Sequence, residues 1–121
     1  MSYNELVRQH FFEPKHAFSS NDNKEDFILA SKGAIALGDA VEFYLQCDLN
    51  TKQIKQLKFK AYGNPYLIAA MSYWCERLQN KPLKEAENFS AQTLIDELAL
   101  PKTKYYVAYM VEDALKSLIN L

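Results

Sequence analysis

The chain has 121 residues, of which 49% are hydrophobic and 24% are charged, and its formal net charge is −1. These values are typical of one soluble domain over residues 1–121, and they exclude the basic surface of a nucleic-acid-binding protein and a membrane span. The two cysteines, Cys47 and Cys75, form no C-x-x-C pair, which predicts a reducing, cytoplasmic setting.

The first predicted element is a helix that begins at a capping box opened by Ser2 and runs to about Phe12. It stops there because the residue before Pro14 avoids helical angles. His10 lies on its apolar side, where a packed, hydrogen-bonded histidine is more common than a metal ligand. Residues 13–27 are polar and aperiodic, which predicts a surface loop.

Strand patterns follow this loop. Small residues and two glycines between residues 27 and 39 predict a strand-like or irregular segment that closely approaches another backbone. Residues 41–47 and 57–62 alternate apolar and polar side chains, and the turn at 48–51 is too short for a crossover. These two segments are therefore predicted to form an antiparallel hairpin.

The second strand ends at Gly63, where Asn64 and Pro65 predict the N-cap and first residue of a helix. Shorter helices are predicted around 83–87 and 91–99, and a last helix follows the linker at 102–104. The core-facing residues expected in the two longer helices are Ile68, Met71, Cys75, Leu78, Val107, Met110, Val111, Ala114, Leu115 and Leu118. The predicted fold is α+β, with a small antiparallel sheet of about three strands and helices packed on one side.

Five stretches between residues 3 and 116 carry a family's motifs in order. They are Tyr3-x-x-x-Val7-x-x-His10-Phe11-x-x-Pro14-Lys15, Ala36-Leu37-Gly38-Asp39, Phe59-Lys60-Ala61-Tyr62-Gly63-Asn64, Leu100-Pro101-Lys102-Thr103-Lys104 and Glu112-Asp113-Ala114-Leu115-Lys116. The first resembles the N-terminal signature of the IscU family, or NifU N-terminal domain. The others resemble its A-C-G-D, F-K-x-Y-G-C, L-P-P-V-K and E-D-A-I-K motifs. Members of this family are scaffolds on which iron–sulfur clusters are built, so the resemblance implies that this chain has the fold of such a scaffold.

The resemblance also implies a ligand set that this chain has mostly lost. The family holds a cluster or zinc with three cysteines, an aspartate and a histidine. Here the cysteine positions are Leu37, Asn64 and Val107, the histidine position is Tyr106, and only Asp39 is kept. No thiolate is left there for a cluster or for persulfide transfer, so no cofactor is expected. Leu37, Val107 and the Tyr106 ring are residues suited to filling a vacated polar pocket, and the sequence leaves open whether that pocket is filled. Asp39 is expected to be a turn or cap acceptor, with metal binding as the alternative.

In the family, the L-P-P-V-K segment is the binding site of a DnaK-like chaperone. The corresponding segment of this chain keeps a leucine anchor but has charged residues at its centre, which disfavours chaperone binding and favours an interhelix linker. The segment consists of Leu100, Pro101, Lys102, Thr103 and Lys104.

Three functions are compatible with this sequence. The first is a non-enzymatic interaction or regulatory component of iron–sulfur assembly that binds a partner such as the cysteine desulfurase. The second is a metal or cluster carrier that uses Asp39 with His10 or His16, or the two cysteines across a dimer. The third is a small-ligand binder that reuses the fold, its site lined by Tyr62, Tyr66, Tyr105 and Tyr106. The sequence has no evident nucleophile–base pair or phosphate-binding loop, which argues against an enzyme.

Overall fold

A computed structural model describes residues 3–119. Four helices and three strands form its framework, and short 3₁₀ turns connect several of them. In chain order they are α1 (Glu5–Phe12), β1 (Ile28–Ala34), β2 (Asp39–Cys47), β3 (Ile54–Tyr62), α2 (Pro65–Leu78), α3 (Ala91–Leu98) and α4 (Tyr105–Ile119). No helix within residues 3–119 is both long and apolar enough to cross a bilayer.

The three strands form an antiparallel sheet in the order β1-β2-β3. Phe43 in the central strand pairs with Ala30 on one side and with Phe59 on the other. All three side chains are buried. They lie on the same face of the sheet, because paired residues of neighbouring strands point to the same side. The predicted hairpin is confirmed, and the glycine-containing segment before it forms the third strand.

The helices pack on the face of the sheet that carries these buried side chains, which confirms the predicted α+β class. Helix α2 buries Met71, Cys75 and Leu78 completely, whereas Ile68 is only partly buried. In α4, Met110 is also partly buried, and the other five residues predicted to face inward are buried. Because both longer helices contribute a continuous apolar stripe, one core joins them to the sheet.

The first helix begins later than the sequence pattern indicated. Asn4 is its N-cap, because the Asn4 side chain accepts a hydrogen bond from the Val7 N–H at 2.9 Å. The predicted capping box was therefore wrong about the cap, and Ser2 itself lies outside the described residues. The end at Phe12 is confirmed. His10 is buried and its Nδ1 lies 2.8 Å from Ser72 Oγ, which confirms the packed histidine.

Part of the predicted loop at 13–27 belongs to the sheet. The Phe18 N–H donates to the Phe59 carbonyl at 2.8 Å, and the Phe59 N–H donates to the His16 carbonyl at 3.0 Å. The Phe18 ring also stacks on Tyr44, with centroids 4.0 Å apart. This short segment thereby covers the outer edge of β3 and part of the sheet face opposite the helices.

Candidate functional site

The junction between β3 and α2 has the local structure that its sequence predicts. Gly63 has a φ of +151°, which a residue with a Cβ rarely adopts. The Asn64 side chain then accepts a hydrogen bond from the Leu67 N–H at 3.2 Å, and Pro65 is the first helical residue. Asn64 is thus the N-cap that fixes where α2 begins.

Three elements bring a polar side chain to this junction. Asp39 is the first residue of β2, Asn64 precedes α2, and Tyr106 lies in the first turn of α4. The Asn64 amide donates to the Tyr106 hydroxyl at 3.1 Å, and this hydroxyl donates to Asp39 Oδ2 at 3.1 Å. The structure therefore joins three of the five predicted site residues in one chain of hydrogen bonds, here called the junction triad.

The Asp39 carboxylate lies directly against the Gly63 backbone. A Cβ added to Gly63 would collide with Asp39 Oδ1 and would come within 2.8 Å of a Leu67 methyl group. The missing side chain at Gly63 thus makes room for the carboxylate. The expectation that Asp39 is a turn or cap acceptor was wrong, because the contact that engages it is the Tyr106 hydroxyl.

The ring of Tyr106 remains partly exposed above the triad. Lys104 Nζ lies 5.8 Å from its centroid, within the range of a cation–π contact. Desolvation, followed by the hydrogen bond to Asp39, raises the pKa of Tyr106 above its ordinary value. The phenol is therefore a neutral donor near pH 7, and the Asp39 carboxylate accepts its proton in a hydrogen bond.

The two remaining site residues lie in opposite environments. Val107 lies in the first turn of α4, and its side chain is fully buried in the core. Leu37 lies in the one-turn 3₁₀ segment between β1 and β2, and its side chain is 84% exposed. Leu37 therefore does not fill a vacated pocket, because the connection carries this side chain out into solvent.

The two cysteines lie away from the junction triad. Cys47 ends β2, eight residues from Asp39, which corresponds to about 26 Å along an extended strand. Cys75 is fully buried in α2, and desolvation raises the pKa of its thiol well above the ordinary value. Within residues 3–119, no three histidine, cysteine, aspartate or glutamate side chains group as metal ligands would.

The segment at 100–104 differs from the extended linker that its sequence suggested. Leu100 is buried in the core, so it was wrongly expected to be an available anchor. Pro101 is partly exposed, and residues Lys102–Lys104 form one 3₁₀ turn that leads into α4, with Lys102 and Thr103 exposed. What this segment presents to solvent is therefore polar and positively charged.

Large apolar side chains are exposed around the junction triad. They come from the β1–β2 connection, the end of β3 and the start of α4, and six of the ten such side chains among the described residues lie here. We call this surface the apolar rim: Ile35, Leu37, Tyr62, Tyr105, Tyr106 and Tyr109. Tyr66 was expected among these tyrosines but is buried, and its ring packs against Tyr3 with centroids 5.0 Å apart. Sequence reasoning missed Ile35 and Tyr109, which only the packing of the connection and of α4 reveals.

Comparison with known proteins identifies the family. Residues 2–120 match the model of the NifU-like N terminal domain. The chain belongs to this family. The iron–sulfur cluster assembly scaffold protein IscU of Escherichia coli K12 is 33% identical over 120 residues, which cover 98% of this chain and 92% of IscU. The mitochondrial iron sulfur cluster assembly protein 1 of Yarrowia lipolytica is 36% identical over 118 residues, and the match spans 65% of that longer protein.

Two solved structures have the same fold. The N-terminal part of a NifU-like protein from Brucella abortus superposes with a TM-score of 0.70 at 11% identity, covering 97% of this chain and 91% of that chain. FiSufU of Fervidobacterium islandicum AW-1 gives a TM-score of 0.68 at 17% identity, with 95% and 94% covered. At such low identity the likeness establishes the fold alone, and the α+β prediction agrees with it.

Proposed function

We propose that this chain is an interaction or regulatory component of iron–sulfur cluster assembly that does not itself hold a cluster. Family membership supports a role in cluster assembly. The observation that carries the rest is the junction triad, in which an amide, a phenol and a carboxylate bond to one another. The polar atoms at this site are thus engaged within the protein.

The donor set of the site does not fit a cluster. Iron–sulfur clusters are held by thiolates, and structural zinc sites use four ligands dominated by cysteine and histidine. The site offers one carboxylate, which already accepts from Tyr106, together with a neutral amide and a neutral phenol. The resemblance assigns the third cysteine to Val107, whose side chain is buried and has no donor atom. The same lack of a thiolate excludes persulfide transfer at these positions.

The apolar rim supports binding to another protein. Tyrosine is enriched in protein–protein interfaces because its ring adds apolar area and its hydroxyl can still hydrogen-bond. Here four tyrosines and two aliphatic side chains are exposed around one corner of the molecule. Lys104, whose Nζ lies 5.8 Å from the centroid of the Tyr106 ring, adds positive charge beside it, which favours a partner surface with an apolar centre and an acidic margin. Among assembly proteins, the cysteine desulfurase is the first candidate.

The alternative carriers lack comparable support. His10 is buried against Ser72, and the pKa of His10 is lowered, chiefly by desolvation, which disfavours its charged form.

The Ser72–His10 contact does not indicate a hydrolase either, because both side chains are buried and cannot reach a substrate. We therefore propose no enzymatic activity. For the setting we propose a reducing cytoplasm, in keeping with the two free cysteines.

Partner binding is tested by calorimetry with the cysteine desulfurase from the same cell. We expect binding that weakens at least tenfold, about 1.4 kcal/mol, in Leu37→Asp, because this change places a charge in the apolar rim. Leu49→Asp is the matched control, since Leu49 is similarly exposed but lies in the β2–β3 turn. If neither the desulfurase nor any other assembly protein binds, the proposed role is wrong.

A further inference from the structure

The outer edge of β3 is covered at Leu57 and Phe59 but not at Ala61. Alternate residues of a strand point their backbone N–H and C=O groups to the same edge. The Leu57 N–H donates to Gln79 Oε1 at 3.3 Å, and Gln79 Nε2 donates to the Leu57 carbonyl at 2.6 Å. Both groups of Phe59 bond to the segment at 16–18. Ala61 is next in this series, and its N–H and C=O on this edge bond to no residue within 3–119.

The covering segment leaves the edge directly after Phe18. The Phe18 ring stacks on Tyr44, and Asp22 Oδ1 accepts a hydrogen bond from Lys58 Nζ at 2.7 Å. Tyr44 and Lys58 are paired residues on the outer face of the sheet, opposite the helices. The chain therefore turns across the outer face, and the edge position beside Ala61 stays open.

An apolar cleft of about 300 Å³ lies where this cover ends. Its volume is at the lower end of the range for ligand pockets, roughly 300–1,000 Å³. We call it the edge cleft, and its apolar lining comes from Pro14, Ala17, Phe18, Ala61, Tyr62 and Ile68. Pro14 has no N–H with which to satisfy the Ala61 carbonyl. Because Tyr62 also belongs to the apolar rim, the cleft is continuous with the surface proposed above to bind a partner.

We propose that the edge cleft holds an extended segment of the protein partner, in which an apolar residue is next to an acidic one. The apolar residue pairs through its backbone with Ala61, and the acidic residue lies beside Lys60. This inference rests on the proposed function, because it names what the partner places next to the apolar rim. Adding an extended segment to an open sheet edge gives affinity through main-chain hydrogen bonds and specificity through the adjacent side chains.

Backbone geometry selects an extended segment over a helix. The N–H and C=O of one strand residue point the same way, and an extended neighbour offers an acceptor and a donor at matching spacing. The chain itself satisfies Phe59 in this way, through the His16 carbonyl at 3.0 Å and the Phe18 N–H at 2.8 Å. A helix uses its own N–H and C=O groups internally, except at its ends. It therefore cannot serve both groups of Ala61.

Alternation within the strands assigns the side chains of the bound segment. Paired residues of neighbouring strands point to the same face, so the residue opposite Ala61 points to the helix side of the sheet. There Ile68 on α2 lines the cleft and is only partly buried. An apolar side chain at this position would cover Ile68 and gain from the burial of apolar surface. The residues before and after it point to the outer face, where Lys60 lies.

The charge at the cleft favours an acidic neighbour. Lys60 is the one charged residue among the described residues that line the cleft. Its Nζ lies 5.3 Å from the centroid of the Phe18 ring, and it forms no ion pair within residues 3–119. Glu42, which pairs with it on β2, instead accepts a hydrogen bond from the Tyr44 hydroxyl at 2.9 Å. An acidic side chain of the partner would thus meet an unpaired lysine, whereas a basic one would be repelled.

Titration with two synthetic peptides, followed by NMR of the whole chain, tests the cleft itself. The probes are acetyl-Glu-Val-Glu-Val-Glu-amide and the corresponding peptide with lysine in place of glutamate. We expect saturable shifts of the Ala61 N–H and Ile68 methyl signals with the acidic peptide, with a dissociation constant on the order of 1 mM, and binding of the basic peptide that is weaker by at least about fivefold. In Lys60→Glu this preference should reverse. Shifts that do not reach Ala61, or equal affinity for the two peptides, overturn the proposal.

Calorimetry with the cysteine desulfurase separates this inference from the proposed function. Ala61→Pro removes the outward N–H at a kind of position where edge strands tolerate proline, and we expect binding to weaken by at least about fivefold. Ser31→Pro is the matched control, because the same alternation points its N–H to the outer edge of β1. Lys60→Glu, which leaves the backbone unchanged, provides a second variant and should also weaken binding.

The outcomes of this calorimetry are distinguishable. If Leu37→Asp weakens binding but neither Ala61→Pro nor Lys60→Glu does, the proposed function stands and this inference is wrong. If the natural chain binds no assembly protein, the proposed function is wrong and the cleft has no such partner to hold.

Discussion

Leu37 and Val107 occupy two positions that the family resemblance assigns to cysteine ligands, yet they lie in opposite environments. Val107, in the first turn of α4, is fully buried, whereas Leu37 is 84% exposed in the β1–β2 connection. The two positions therefore differ physically. The Val107 side chain is part of the core, whereas the apolar Leu37 side chain is exposed to solvent.

The largest effect is expected from a charge at the buried position. Val107→Asp should lower the free energy of unfolding by about 3 kcal/mol or more, because an unpaired carboxylate would be buried in the core. Leu37→Asp should change it by less than about 0.5 kcal/mol, as is usual for exposed sites. Urea unfolding of both variants measures the difference. Similar losses in the two variants would mean that the contrast in burial is not real.

Gly63→Ala sharpens the contrast within the junction. The new methyl group would meet both the unfavourable φ and the Asp39 carboxylate, so we expect a loss of about 1–3 kcal/mol. Gly38→Ala is the matched control, because Gly38 also has a positive φ, +95°, but no atom lies within 4 Å of its added Cβ. The excess loss at Gly63 in urea unfolding isolates the contact with Asp39. Equal losses would show that the carboxylate does not pack against this glycine.

Asn64→Ala should cost about 1 kcal/mol, because the helix loses its N-cap. Asn64→Ser restores a capping oxygen but not the N–H that donates to Tyr106, so it should recover most of the loss. Thermal unfolding followed by circular dichroism compares the three proteins. If serine recovers nothing, the amide acts mainly through the triad and not as a cap.

The smallest effect is expected at the phenol. Tyr106→Phe removes one hydroxyl that bonds to both Asn64 and Asp39, which should cost about 0.5–1 kcal/mol at this partly exposed site. Tyr109→Phe serves as the control, since the Tyr109 hydroxyl makes no hydrogen bond within the described residues, and its loss should be near zero. Urea unfolding again provides the measurement. Equal losses of unfolding free energy in the two variants would show that the junction triad does not stabilise the fold.

The sequence predicted the regular parts of the fold because their signals are local. Alternation marked the hairpin, and the Asn64–Pro65 pair marked the start of α2. The sequence did not predict that residues 16–18 pair with the outer edge of β3. These residues have no strand pattern of their own, and their backbone hydrogen bonds go to Phe59, about forty positions away. The sequence could not decide between Ser2 and Asn4 as the N-cap of α1, because either residue type can fill that role and only the position of the helix distinguishes them.

For the candidate site, the sequence identified the residues but not how they interact. The five positions follow from the family resemblance, whereas the bonds of Tyr106 to Asn64 and Asp39 join residues 42 and 67 positions apart. The environment of Leu37 depends on how a four-residue connection turns, and the residue type alone favoured burial. Conversely, the sequence suggested that Leu100 is an exposed anchor in a proline-containing linker, yet its side chain is buried in the core.

The proposed function requires that Leu37, Asn64 and Val107, at the family ligand positions, hold no cluster. Anaerobic reconstitution with iron and sulfide, followed by absorption spectra and metal analysis, measures this. A triple variant, Leu37→Cys/Asn64→Cys/Val107→Cys, provides the matched comparison because it restores three thiolates at those positions. We expect no stoichiometric iron or sulfide on the natural chain and a gain of both on the folded triple variant. Stoichiometric iron and sulfide on the natural chain, lost in Asp39→Ala or on replacement of its two cysteines, would contradict it.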